Sequence, residues 1–239
     1  LGRWLSEFVT GSISLVAEQL IFKDPTVDAP ELILTQIGTQ STTGFRTSLT
    51  RDTRDYYLDP RTGWRSSIGL DFATPYLGGS NNFVKVYVDV AKYTPLPFDT
   101  RISNRVRYGT VEGINGEPIP LTERWFVGGI NTMRGFVFGL AGPVTANGSL
   151  LGAARELIFN NDFIFTISSE AKLNGVIFFD YGKGFNDGEP VTFKLRSAAG
   201  LEGRWISPFG PLRAAYGINL DPNPGERKGV FEFTIGSLF

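Results

Sequence analysis

Along most of this chain, apolar and polar residues alternate at every second position, the period of a β-strand that turns one face to each side. From Trp64 to Phe72, the side chains of Trp64, Ile68, Leu70 and Phe72 fall on one face, opposite Arg65, Ser67, Gly69 and Asp71. Val84, Val86, Val88 and Val90 oppose Lys85 and Asp89, and Ile102, Val106 and Tyr108 oppose Arg101, Ser103, Arg105 and Arg107. Further on, Leu195, Ala199, Leu201 and Trp205 oppose Arg196, Glu202 and Arg204, while Leu212, Ala214, Tyr216, Ile218 and Leu220 oppose Arg213 and Asn219. In the first segment Val9, Ile13, Leu15 and Ile21 share a face. The pattern predicts ten strands, at roughly 4–21, 43–54, 62–74, 82–94, 100–112, 149–159, 172–184, 193–206, 211–221 and 228–239.

Many of these exceed the usual strand of about 5–6 residues and match the roughly 9–11 needed to cross a bilayer at a tilt. The connections also alternate. Asp59-Pro60-Arg61-Thr62-Gly63, Pro95 to Asp99 and Ser207 to Gly210 read as tight turns. The longer class falls at about 22–42, 75–81, 113–148, 185–192 and 222–227, with 160–171 as an exception on the short side. Short turns on one rim and long loops on the other describe an outer-membrane barrel. The expected fold class is therefore all-β, an antiparallel transmembrane β-barrel, with both chain ends on the periplasmic side. The whole of 1–239 reads as one barrel domain without repeats or charge blocks.

Composition narrows the chemistry. With 23 Lys plus Arg against 24 Asp plus Glu, the chain lacks the basic excess of a nucleic-acid binder, and no nucleic-acid partner is expected. It has no cysteine and no histidine, which excludes Cys/His zinc sites, thiol nucleophiles, disulfides and every His-based triad. Only a Ser-Lys or a carboxylate-pair arrangement remains for hydrolysis, so neither catalytic nor metal-binding residues are assigned and no cofactor is expected. Asp180 to Glu189 lacks calcium-loop spacing, and Gly182-Lys183-Gly184 lacks that of a P-loop. The 29 glycines and 20 phenylalanines suit a turn-rich β-protein. The longest uncharged run, Gly135 to Ala154, holds five glycines and a proline and is not a membrane helix. No targeting segment is recognisable at Leu1-Gly-Arg-Trp-Leu, so a signal peptide is expected outside this chain.

Two features carry function. On the last strand Phe231, Phe233, Ile235 and the terminal Phe239 share a face, opposite Glu232, Thr234 and Gly236; a terminal aromatic on such a strand is a general assembly signal of bacterial outer-membrane proteins. The connection at about 113–148 is long enough to be functional or disordered, yet Trp125, Phe126, Val127, Ile130 and Phe136 make it too apolar for a disordered linker. Its apolar residues need a buried place, and the interior of a barrel supplies one.

The segment Gly128-Gly129-Ile130-Asn131-Thr132-Met133-Arg134-Gly135-Phe136 closely resembles the Val-Arg-Gly-Phe/Tyr loop of the BamA family of outer-membrane β-barrel assembly factors. Thr50 to Asp55 with Asp59 to Gly63 resembles that family's "DTRD…P..G" strand-turn signature. Ala154 to Phe159, Phe178 to Gly182, Gly210 to Arg213 and the Phe-Glu-Phe-Thr-Ile-Gly-Ser-Leu-Phe terminus follow in the family's order. The likeness runs from about residue 42 to the end, with Met133 in place of the commoner Val.

The resemblance implies that the ten strands are the last ten of a sixteen-stranded barrel, with six strands and periplasmic POTRA domains outside this chain. It implies that the long loop turns back into the lumen, where Arg134, Gly135 and Phe136 form the anchor motif and Arg134 meets Glu156 and Asp180 on the barrel wall. A guanidinium suits two carboxylates because it offers five fixed donors and stays charged. The implied function is folding and insertion of β-barrel proteins through the barrel seam, without a cofactor, in the outer membrane of a Gram-negative bacterium. Expected partners are nascent outer-membrane proteins, the lipid bilayer and lipopolysaccharide, and accessory lipoproteins bound through the periplasmic domains. The alternatives are a protein translocator of the same superfamily (two-partner secretion, TamA-like or patatin-fused) and a passive porin. A porin would share the alternation and the terminal Phe but not the Arg-Gly-Phe loop.

Overall fold

The computed structural model describes residues 1–23, 31–208 and 210–236. Among them, eleven strands form one sheet in chain order, every neighbouring pair antiparallel. They are β1 (Gly2–Ser6), β2 (Val9–Phe22), β3 (Gly38–Asp52), β4 (Gly63–Ala73), β5 (Phe83–Leu96) and β6 (Thr100–Gly113), then β7 (Arg155–Ser168), β8 (Leu173–Phe185), β9 (Arg196–Ser207), β10 (Gly210–Asn219) and β11 (Gly229–Ile235). The fold is an outer-membrane type of β-barrel wall, left open between β1 and β11. No helix among the described residues is long and apolar enough to cross a membrane.

The count is eleven because the segment expected as one strand at 4–21 is a hairpin, with Ser6 opposite Val9. Glu7 and Phe8 carry none of the Gly, Pro, Asn or Asp signals that mark a turn in sequence. The extra strand changes where the chain starts. The Leu1 amino group donates to the Ile13 carbonyl at 2.8 Å, beside the middle of β2. Residue 1 thus lies in mid-wall, which corrects the expectation of both ends on the same rim.

The strand expected at 149–159 is also displaced, to Arg155–Ser168. Asn160-Asn161-Asp162 reads as a loop, yet Asn160 and Asp162 belong to the polar inner face of a continuous strand. The connection to β8 shrinks to residues 169–172 and joins the short-turn rim, so the exception in the loop pattern disappears. Conversely, the β3–β4 connection is longer than a tight turn. The Asp55 carboxylate accepts the backbone N–H groups of Arg61 and Thr62 at 2.9 and 3.2 Å. Asp59 accepts from Arg101 of β6 and, at 3.1 Å, from Asn174 of β8, so the turn is tucked beneath the lumen.

Alternation sorts the wall into two surfaces. On β4, Ser67, Asp71 and Ala73 are buried, while Ile68 is 50% and Leu70 42% exposed. Ile177, Phe179, Leu201, Trp205, Tyr216 and Ile218 continue the exposed apolar row across β8, β9 and β10. Leaving one such side chain in water forfeits about 1.5–3 kcal/mol, so a continuous row of them is stable only against lipid. The inner face carries Arg101, Glu156, Asp162, Asp180, Glu202, Arg204 and Arg213, all buried.

What buries them is the connection between β6 and β7, residues 114–154, which folds back into the curve of the sheet. Its apolar residues enter three inner clusters. Val127, Met133, Phe136 and Ala141 pack with Ile158 and Ala198. Ile119, Ala154 and Trp125 pack with Ala73, Phe83 and Val111, and Ile130 packs against Ile164, Val176, Phe178 and Ala215.

Candidate functional site

The loop is rooted where it leaves β6. The Lys85 ammonium bonds Glu123 at 3.2 Å and lies 4.3 Å above the Trp125 ring. Trp125 and Ala153 exchange backbone hydrogen bonds at 2.9 and 2.7 Å, which closes the loop into a finger. Its tip is a tight turn. Thr132 N donates to the Gly129 carbonyl at 3.0 Å and Gly129 N to the Met133 carbonyl at 3.1 Å. The Thr132 hydroxyl accepts from Gly128 N at 2.9 Å and donates to Gly128 O at 2.8 Å.

Arg134 follows the tip. Its backbone N–H and its Nε both bond Asp180 Oδ2 at 2.9 Å, and Nη2 reaches Asp180 Oδ1 at 2.6 Å. Nη2 also reaches Asp162 Oδ1 at 2.7 Å, and Nη1 reaches Glu202 Oε2 at 2.6 Å. The guanidinium lies 3.9 Å from the centre of the Phe178 ring, which forms the floor beneath it. Two further arginines balance the three carboxylates. Arg204 bonds Asp162 at 2.7 Å and Glu202 at 2.8 Å, and Arg213 bonds Glu202 at 2.6 Å. Every side chain of the cluster is buried, Asp180 completely. Equal numbers of opposite charges and short charge-assisted bonds offset the cost of taking these groups out of water. The carboxylates are saturated by guanidinium donors, so the cluster is a fastening and not a reactive pair.

Gly135 lets the finger sit this close. It has φ +84°, and a Cβ on it would stand 3.0 Å from the Ala198 Cβ and 3.1 Å from the Gly217 carbonyl carbon. Phe136 next to it is 2% exposed and carries the Arg196 guanidinium 4.6 Å above its ring.

Glu156 does not join Arg134, which corrects that pairing. Glu156 faces Gly184 across the β7–β8 ladder, whereas Asp180 faces Asn160, four residues further along β7. Four residues of strand are about 13 Å, too far for one guanidinium to span. Glu156 instead accepts from Arg107 at 3.2 Å, bordering a polar cavity of about 540 Å³ between the loop and β3–β6. The sequence reading missed Asp162 because 160–162 looked like a turn. It placed Glu202, Arg204 and Arg213 on the polar face without recognising them as partners of the loop; period-2 alternation assigns a face but not a cross-lumen contact.

The second element is the sheet edge. Phe231, Phe233 and Ile235 of β11 are exposed on the outer face at 56–68%. Phe239 lies outside the described residues. β11 spans seven residues, half the length of β2. It pairs with β10 on one side, from Leu212↔Ile235 to Ile218↔Gly229, and with no other strand among the described residues. Gly236, with φ +91°, bends the chain where the strand ends.

Comparison with known proteins agrees with this geometry. The outer membrane protein assembly factor BamA of Nitratidesulfovibrio vulgaris is 31% identical over 217 residues, covering 89% of this chain and 27% of that protein. This chain therefore spans about a quarter of that relative's length. The structure of BamA from Haemophilus ducreyi lacking POTRA domains 1–3 superposes with a TM-score of 0.79 at 17% identity, over 99% of this chain and 52% of the other. CdiB from Acinetobacter baumannii superposes less closely, with a TM-score of 0.62 at 16% identity over 97% and 40% of the two chains. Residues 5–239 match the Omp85 superfamily domain, and the chain belongs to that superfamily.

Proposed function

We propose that this chain is the C-terminal part of the barrel of an outer-membrane protein assembly factor, which folds and inserts β-barrel proteins in a Gram-negative outer membrane. The observation that carries the reading is the luminal loop fastened to the wall through Arg134 on Asp180, Asp162 and Glu202, in a chain whose relative in N. vulgaris is named as such a factor. In this reading β11 lines the barrel seam, where a row of N–H and C=O groups released from its seam partner would be a template for another strand. The short β11 is held by few ladder bonds, so exchange of partners at this edge costs little compared with a longer strand. The step is strand exchange and insertion, with no covalent chemistry and no cofactor. Nascent outer-membrane proteins are the substrates in this reading, the bilayer and lipopolysaccharide are the surroundings, and accessory lipoproteins bind periplasmic domains outside this chain. The fold likeness to CdiB keeps a translocator as the second reading.

Complementation separates the two. The full-length protein carrying this chain, expressed in cells depleted of their own assembly factor, restores outer-membrane protein levels if the reading holds. A translocator leaves the depletion uncorrected and instead exports a dedicated passenger.

A further inference from the structure

The tip of the finger is gripped by its main chain from opposite sides of the lumen. Three successive carbonyls each accept from a different strand. Arg213 of β10 donates to Ile130 O at 3.1 Å, Arg107 of β6 to Asn131 O at 3.1 Å, and Asn160 of β7 to Thr132 O at 2.8 Å. On the other side of the same turn stands Glu232 of β11. Its Oε1 is 3.4 Å from where a Cβ on Gly129 would be, and the Ile130 backbone amide faces its carboxylate. Glu232 Oε2 is buried without a hydrogen-bond partner among the described residues. A buried carboxylate oxygen without a partner is costly, and Gly129 and Ile130 of the loop tip lie against this carboxylate.

We infer that Arg213 and Glu232 are positioning residues that fasten the last two strands to the main chain of the loop tip, so that release of the loop and loosening of the edge strand are one linked event. The chain of contacts is continuous. Asn160 and Arg107 hold the tip to the β6–β7 wall, the tip turn is closed on itself, and Arg213 and Glu232 carry it to β10 and β11. Arg213 also bonds Glu202, a ligand of Arg134, so the tip grip and the ion cluster share a strand. In an assembly factor this arrangement holds the templating edge in place until the loop lifts. That consequence rests on the proposed function, but the coupling itself does not.

Hydrogen exchange on the full-length protein in lipid vesicles, without substrate, tests the coupling. Replacing Arg213 by Gln or Glu232 by Ala speeds exchange of both the tip amides at 128–133 and the β11 amides at 229–235. Loss of one hydrogen bond to a charged group corresponds to roughly tenfold. Asn160→Ala, remote from β11, speeds both sets as well, and Arg213→Lys restores part of the protection. Should Arg213→Gln fail to fold, Asn160→Ala and Glu232→Ala decide the matter alone. Faster tip exchange with unchanged β11 exchange, or the reverse, overturns the inference. Failed complementation with coupled exchange intact would count against the proposed function only.

Discussion

Arg134 and Asp180 are joined three times: the Arg134 amide and Nε both reach Oδ2 at 2.9 Å, and Nη2 reaches Oδ1 at 2.6 Å. One carboxylate thereby fixes the loop's backbone and its side chain together. Asp180 is fully buried and stands opposite Ala198 across the β8–β9 ladder. Removing the arginine leaves Asp162, Asp180 and Glu202 facing one another with two guanidinium groups between them. Arg134→Ala is therefore expected to destabilise the full-length barrel by about 3–5 kcal/mol. Arg134→Lys recovers part of this, since an ammonium cannot reproduce the fork. Denaturant unfolding in lipid vesicles, followed by heat-modifiable mobility, gives the ranking; equal stability of wild type and Arg134→Ala would mean that the cluster is not shielded.

The reassignment of Glu156 makes a sharper contrast. Asp180→Asn is expected to loosen the loop, while Glu156→Gln leaves the Arg134 contacts intact and disturbs only the Arg107 side of the lumen. Spin labels placed on the exposed Phe138 of the loop and on a wall strand report the difference as a broadened distance distribution in the first variant and an unchanged one in the second.

Gly217 of β10 faces the loop so closely that a Cβ there would stand 2.5 Å from the Gly135 Cα. Backbone meets backbone, with no flexible side chain to yield. Gly217→Ala is expected to lift the anchor motif off β10 and to cost about 1–3 kcal/mol. The same Ala at Gly203, where no atom lies within 4 Å, is the control and leaves the melting temperature unchanged.

The long loop between β10 and β11 carries a pH-dependent contact outside the membrane-spanning strands. Glu226 accepts from Arg196 Nη1 at 2.9 Å and from Asn223 N and Nδ2 at 3.0 Å. Partial burial pushes the Glu226 carboxyl up, but the Arg196 and Asn223 donors outweigh it and bring it from 4.5 down to about 2. A carboxyl that titrates lower when folded stabilises in full above its unfolded value of 4.5 and loses that contribution as the pH falls toward 2. A spin label at Pro224 is expected to stay ordered at neutral pH and to gain mobility across that window. Glu226→Gln should be mobile throughout, with no such transition.

The lipid face provides a test of register. Labels at Ile68, Leu70 and Leu201 should respond to a lipid-soluble relaxation agent, and labels at Ser67 and Asp71 should not. Reversed accessibility would shift β4 by one residue and turn its whole polar set to lipid.

Most of the wall was legible in the sequence because period-2 alternation reports directly which side each residue takes. Trp64 to Phe72 and Leu212 to Leu220 are read correctly without any knowledge of their neighbours. Two failures were local. Glu7-Phe8 turns without turn residues, and Asn160-Asn161-Asp162 continues a strand through residues that favour turns. In both, ladder pairing with a neighbouring strand outweighs local propensity. The anchor motif was legible through its resemblance to a known loop, and Asp180 with it. Asp162, Glu202, Arg204 and Arg213 were not, because their contact with Arg134 depends on how far each strand is staggered past the next. The grip of Arg107, Asn160 and Arg213 on successive carbonyls leaves no side-chain signature in the loop and is visible only in three dimensions.

The measurement that bears most directly on the proposed role is photo-crosslinking from the sheet edge during active assembly. A photoreactive residue at Val230 or Thr234 of β11 in the full-length protein is predicted to capture folding outer-membrane proteins, while the same residue at Ile68, in the middle of the sheet, captures none. Adducts at Ile68 as abundant as at β11, or no adducts at β11 while assembly proceeds, would contradict the account.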